Sequence, residues 1–364
     1  MSLIAQALRE RPILRGAVLA PSAIALIFSL FNLSAAPDPA ILASHITIAT
    51  VNHDAGLPFP PINVADRMLS GLSQRLPMQL QAYDSDASAR AALEAETVQA
   101  VLIFPQGFST SVSGSDPVPL TLITSGSLTM AEQQLTGALP ALLESGVATA
   151  VQSIRLAMAQ GRMPDMASPV ALTAEVLNPP ATAAARMAPF VAGFAMALAA
   201  MVGGIIGWIG TRGLDSARAL RLRIVFPVIA MPVAALVMAA IVTSFSGGAF
   251  FSLWLAIALL GTALSWFAAG SLALFGPAAL LVLVPLVFWQ AVLGGAQMPM
   301  AAAPVWLQWL APLGLDQIGA HYRSLIIAGT HPFPWALTAG AAALGLGMMA
   351  LRALMRRGRA PVAA

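Results

Sequence analysis

This sequence has no cysteine and no lysine in 364 residues, only two tyrosines, and charged side chains at only 9% of positions. Without cysteine there is no disulfide, no thiolate nucleophile and no cysteine-ligated metal, so a domain on an oxidising side would be held by packing alone. Without lysine there is no G-x-x-x-x-G-K-[ST] loop, and the chain cannot hydrolyse ATP by the Walker route. All 18 basic residues are arginine. The four histidines, His45, His53, His321 and His331, show no i, i+4 or H-E-x-x-H spacing, and no zinc site is expected. No G-x-S-x-G elbow or nucleophile–base pair occurs. No catalytic residue, cofactor or metal is therefore assigned, and the chain is not read as an enzyme.

What is present is apolar. Hydrophobic residues make up 58% of the chain and the mean hydropathy is +0.81, outside the range of soluble domains. Six apolar runs occur, over 13–35, 187–210, 224–243, 250–274, 277–297 and 333–351. A hydrocarbon core of about 30 Å needs roughly twenty helical residues, so the expected fold is an α-helical polytopic membrane protein with six transmembrane helices. Residues 1–12 read as a cytoplasmic interfacial segment and 13–35 as the first span. The rival for 13–35 is a cleaved signal peptide, because Ser34-Ala35-Ala36 resembles a cleavage site; the run is longer than a usual signal core of about 7–15 residues.

Residues 36–186 change character. Positions 37–185 carry five arginines against twelve acids, whereas the rest carries thirteen against three; the nets of −7 and +10 recover the overall +3. The stretch Ile46–Phe104 alternates strand and helix patterns (strands at 46–52, 78–83 and 98–104, helices at 62–76 and 85–96), with a further strand at 118–124, a long helix over 128–160 and a last strand at 170–177. An α/β extracytoplasmic domain inserted between the first and second helices is expected. Asn52, His53, Asp54 and Gly56 read as a turn after a strand, where such residues tolerate left-handed geometry.

Arginine fixes the expected orientation. Arg9, Arg11 and Arg15, the segment 211–223 with Arg212, Arg218, Arg221 and Arg223, and the tail 352–364 fall on one side if six crossings are counted, which the positive-inside rule makes cytoplasmic. Both termini are then cytoplasmic, in a multi-pass protein of the inner (plasma) membrane. The basic charge sits at membrane edges without interleaved aromatics, so nucleic acid is not an expected partner. Gly203 and Gly207 form a small-xxx-small pair suited to close helix approach. Segment 298–332, with Pro299, Pro304, Pro312 and the rings of Trp306, Trp309 and Tyr322, reads as short re-entrant or interfacial helices in the outer leaflet, before the last span at 333–351. Asp316, His321 and Arg323 lie there. Asp316 and Arg323, seven residues apart, would share one helical face; with His321 they are the candidate outer gate, with an interfacial salt bridge or snorkelled side chains as the structural alternative.

Three stretches, IATVNHDAG at 48–56, SARAALEAETVQAVLIFPQGF at 88–108 and the segment 293–329 with its Trp-Leu-Gln-Trp-Leu run, resemble permeases of the ABC type-2 exporter superfamily. The large insertion is similar to that of the phage-infection-protein-like (Pip/YhgE-like) branch. The resemblance implies a dimer, homo- or heteromeric, with a separate ATP-binding-cassette ATPase docking on the loop after the second span. On this chain that loop holds Arg212, Asp215, Arg218, Arg221 and Arg223. The implied function is outward movement of a hydrophobic or amphipathic, drug- or lipid-like substrate. Apart from Arg15 at the basic start of 13–35, the spans hold no ionisable residue, which speaks against proton coupling. The alternative is a stand-alone membrane protein whose outer domain binds an envelope, phage or secretion partner without ATP-driven transport.

Overall fold

The computed structural model describes residues 38–58, 61–114, 116–158 and 169–357, together with Leu26 and Ser29. The span expected over 13–35, the segment 1–12 and the end of the tail lie outside the described residues. The described residues form two packed regions, an α/β domain and a bundle of apolar helices.

The α/β domain begins with a short helix, α1 (Pro39–His45), and β1 (Thr47–Asn52), followed by a two-residue ladder of β2 (Leu57–Pro58) with β3 (Pro61–Ile62). Then come α2 (Val64–Arg75), β4 (Gln79–Ala82), α3 (Asp86–Glu94), β5 (Ala100–Phe104), α4 (Phe108–Ser113), β6 (Val118–Ser125), α5 (Met130–Met158) and β7 (Val170–Leu177). The five long strands form one sheet in the order β4-β1-β5-β6-β7, parallel except for the β5–β6 pair. β5 sits at the centre with all five residues buried, as a strand covered on both faces must be. Its alternate residues divide between two cores. Ala100, Leu102 and Phe104 pack under α2, α4 and α5, while Val101 and Ile103 pack against Ala89 and Leu93 of α3. Asn63 caps α2 and Ser85 caps α3, each accepting from a backbone amide three residues on.

The Asn-x-Asp-x-Gly turn after β1 and the Pro-x-Gly-Phe corner after β5 meet. Asp54 is buried and accepts from both the backbone amide and the hydroxyl of Ser109, and that hydroxyl also accepts from the Val64 amide at 2.8 Å. Gly56 has φ +78°, and a Cβ there would lie 3.0 Å from the Ile62 carbonyl, so glycine is required on both counts.

Beyond β7 come α6 (Ala183–Gly210), α7 (Ser216–Ser246), α8 (Phe250–Phe275), α9 (Leu280–Leu293), the single turn α10 (Val305–Gln308), α11 (Asp316–Ile326) and α12 (Trp335–Arg357). Among the described residues, four helical stretches are long and apolar enough to cross a membrane: α6, α7, the 44-residue run Phe250–Leu293, and α12. On a continuous helix, Leu264 and Val287 would stand about 34 Å apart at 1.5 Å per residue. They line one cavity, so the run folds back at Gly276, where φ is +64° and a 3-10 turn over Gly276–Ala279 joins α8 to the shorter α9. The outward face of α7 (Val225, Phe226, Ile229, Val233, Val237 and Ile241) is apolar and exposed, the surface that lipid covers in a membrane helix.

The bundle is held by close backbone approach and by indole donors. A Cβ on Gly345 of α12 would come within 2.4 Å of the Trp266 backbone on α8, and one on Gly270 within 2.3 Å of the Gly345 carbonyl. The crossing is thus backbone to backbone, where only small residues fit. Trp254 and Trp266 donate from α8 to the Pro232 and Ile224 carbonyls of α7, at 3.0 and 2.9 Å. The small-xxx-small expectation needs revision at one position. Gly204 packs on Ala268 and Gly203 on Ser265, whereas among the described residues nothing comes within 4 Å of a Cβ at Gly207.

The expected loop 211–223 is shorter than the sequence suggests, and is a turn over residues 211–215. Asp215 accepts from the Ala217 and Arg218 amides at 3.1 and 2.9 Å and so starts α7 at Ser216. Arg218, Arg221 and Arg223 therefore stand on the first two turns of a helix, because an aspartate cap followed by Ala, Arg and Leu favours helix over loop.

Candidate functional site

Two places concentrate charge. The first joins the α/β domain to the bundle. Arg323 projects from α11, is only 5% exposed, and donates from Nε to the Ser127 carbonyl at 2.8 Å and from Nη2 to Glu96 Oε2 at 2.7 Å. His331 reaches the same Glu96 oxygen at 3.1 Å, while its own carbonyl lies 2.9 Å from Nδ1 of His321. Glu96 follows the end of α3 in a left-handed conformation, φ +56°, uncommon for a residue other than glycine. Backbone bonds run beside the ion pair. The amides of Met130 and Ala131, at the start of α5, donate to the carbonyls of Ala296 and Gln297 at 3.1 and 2.8 Å. Leu42 and Ala131 pack there against Val292, Leu293, Met298, Leu307 and Leu310.

Burial by itself would raise the Glu96 carboxyl. Hydrogen bonding and charge from His331 and Arg323 outweigh it and hold the carboxyl below the usual range. Glu132 goes the other way. It closes a capping box with Thr129, accepting from that residue's amide and hydroxyl at 2.9 and 2.7 Å, yet burial dominates and pushes it up. The Arg323–Glu96 pair is monodentate, and among the described residues Arg323 Nη1 and Glu96 Oε1 are buried without a hydrogen-bond partner. A joint so enclosed and so incompletely matched is costly to hold shut and costly to leave half open.

The three gate candidates separate. Arg323 is central to the joint, His321 supports it through the His331 carbonyl, and Asp316, half-buried on the first turn of α11, pairs with neither. Sequence reasoning missed Glu96, Ser127, Glu132 and His331. The Thr129-x-x-Glu132 spacing was a legible capping signal, but nothing local marks Glu96, whose partner is 227 residues away.

The second place is the arginine end of the bundle. Arg212 lies over the Trp208 ring at 3.6 Å, and Arg223 is buried with Nε donating to the Thr211 hydroxyl at 2.7 Å. Arg218 and Arg221 are exposed. Among the described residues no group of three or more His, Asp or Glu side chains converges as metal ligands would.

No family model and no curated protein matches the chain. Among solved structures, a match is the "Crystal structure of a domain of a putative ABC type-2 transporter from Thermotoga maritima MSB8", at 20% identity, over 36% of this chain and 84% of that one, with a TM-score of 0.27. A likeness at that score gives no ground for transferring an activity.

Proposed function

We propose that the chain is the transmembrane permease subunit of an ATP-binding-cassette exporter of the type-2 class, working in a dimer and moving a hydrophobic or amphipathic substrate outward. The α/β domain lies on the outer face and ATP hydrolysis belongs to a separate subunit. The folded-back run of α8 and α9 supplies two crossings, which with residues 13–35, α6, α7 and α12 make six. The observation that carries the reading is the tight turn between α6 and α7, with Asp215 as helix cap and Arg218 and Arg221 exposed beside it. Its exposed arginines give a motor a charged end of the bundle to act on, in a chain with no Walker lysine of its own. A groove of about 450 Å³ between α2 and α5, apolar apart from Arg67 and Ser153, suits the substrate class. The same groove supports the rival reading, a stand-alone phage-infection-protein-like receptor for an envelope partner.

Purification in mild detergent tests the two. The permease reading expects an ATP-hydrolysing protein to co-purify and to be released by Arg218→Glu with Arg221→Glu. Recovery of the chain alone, with function intact after residues 211–215 are replaced by a neutral linker, would overturn it.

A further inference from the structure

The groove between α2 and α5 has the dimensions of a small-molecule site, and its walls say what kind of molecule it suits. It encloses about 450 Å³, within the usual size range of ligand pockets. One wall runs from Val64 to Leu76 on α2 and the other from Leu142 to Ile154 on α5; twelve residue steps on each make about 18 Å at 1.5 Å per residue. Val64, Met68 and Val147 belong to the buried core of the domain, so the floor of the groove is continuous with that core. Glycine widens both walls. Gly71 stands inside α2 and Gly146 inside α5, both on the groove, and a Cβ at either would meet no described atom within 4 Å. Glycine is a poor helix former, so each helix gives up propensity at the place where a side chain would narrow the channel.

Charge marks one end. Arg67, on the first turn of α2, lines the groove, and beyond it the α2 wall continues as Met68, Gly71, Leu72 and Leu76. The adjacent Asp66 carboxylate is engaged elsewhere, accepting from the Asn52 side chain at 2.7 Å. Residues 37–185 carry twelve acids against five arginines, so a guanidinium at this edge favours an anion where the field of the domain at large does not. We infer that the groove binds a single-chain amphiphile with an anionic head, of the long-chain fatty acid class. The carboxylate meets Arg67, whose fork matches two carboxylate oxygens, and the extended tail follows the apolar walls toward Leu76. A wall of that length accommodates one long acyl chain. The inference narrows the amphipathic class of the permease reading to one chemistry, and in naming the cargo it rests on that reading. Binding in the groove itself requires neither an ATPase nor transport.

The test uses the full chain in detergent and a palmitate carrying a photoreactive diazirine, with adducts mapped by peptide mass spectrometry. Adducts should fall within residues 64–76 and 142–154 and be competed away by unlabelled palmitate. Gly71→Leu with Gly146→Leu fills the groove, and because leucine is the better helix former this variant should melt no lower than the unaltered chain. Its labelling should fall about tenfold, the loss expected when an apolar tail can no longer be buried, whereas Gly137→Leu, at an exposed position of α5 outside the groove, should keep it. Equal labelling in the filled variant would mean partition without a site and would overturn the inference. Arg67→Gln reads the head separately from the fold. It should weaken competition by palmitate about threefold, the scale of an exposed ion pair, and leave competition by hexadecanol unchanged. Equal effects on the two competitors would overturn the anionic class. Adducts in the groove that arise only after residues 159–168 are replaced by a Gly-Ser linker of equal length would assign it to that segment of the chain and overturn the proposal. None of these readings involves an ATPase, so an empty groove leaves the motor question to the co-purification experiment, and a missing motor leaves the groove site standing.

Discussion

Replacing Arg323 by methionine should open the joint between the α/β domain and the bundle without unfolding either. The guanidinium is almost fully enclosed and bridges Glu96 to the Ser127 carbonyl, so Arg323→Met leaves the Glu96 carboxylate facing only His331. Removing one member of a buried pair costs about 3–5 kcal/mol, which shifts an open–closed equilibrium by roughly 10²- to 10³-fold or more. The amides of Met130 and Ala131 report that equilibrium directly, because both donate across the joint. Hydrogen exchange in detergent should therefore accelerate by that factor at these two sites, while the β5 amides of Leu102 and Ile103 in the central strand stay protected. Glu96→Gly separates charge from backbone. It relieves a left-handed residue, a gain of about 1–2 kcal/mol, yet loses the carboxylate, so it too should open the joint. Acid should act likewise. Glu96 is held below the usual carboxylate range, so its contribution is present above that range and is lost as pH falls through its folded value. Exchange at Met130 and Ala131 in Arg323→Met within twofold of the unaltered chain would refute this account.

Three further outcomes follow from other sites. Glu132→Gln should stabilise the protein at pH 8 and do little at pH 4, because a raised carboxyl contributes stability below its ordinary range that is lost as pH rises through its folded value; thermal melts at the two pH values check the sign. Gly345→Leu should lower the melting temperature strongly, since the new side chain meets the Trp266 backbone and overpacking costs about 1–3 kcal/mol or more, whereas Gly347→Leu, with nothing within 4 Å among the described residues, should be tolerated. Because the chain has no cysteine, Arg218→Cys and Ser73→Cys give single reporters. In intact cells an impermeant maleimide should label position 73 and not 218, and the reverse would invert the proposed orientation.

The α/β domain was legible because its strands carry strong local signals. VQAVLIF at 98–104 reads as a buried strand from composition alone, and β5 is that strand. The long apolar helices were legible for the same reason. What the sequence concealed was pairing at distance. Whether Arg323 meets Asp316, seven residues away, or Glu96 is decided by how the domain docks, and periodicity carries no such information. The turn at 211–215 was hidden differently. Arginines flanking a span suggest a loop, whereas the Asp215 cap lets the helix start early and absorb three of them. Gly204 shows the limit of motif spacing, since α8 packs closely on a glycine that the Gly203–Gly207 spacing did not single out.

Helix α5 has 29 residues, about 43 Å at 1.5 Å per residue. Its first turn is bonded to the segment after α9, and near its other end Arg155 grips the carbonyls of Ser111, Val112 and Asp116. That makes it a strut fixed at both ends. Leu139, Leu143, Val147 and Val151 fasten its middle to the core shared with α2, so the groove that Leu142, Gly146, Ala150 and Ile154 line is a preformed surface, and an apolar guest would meet it without first ordering its walls.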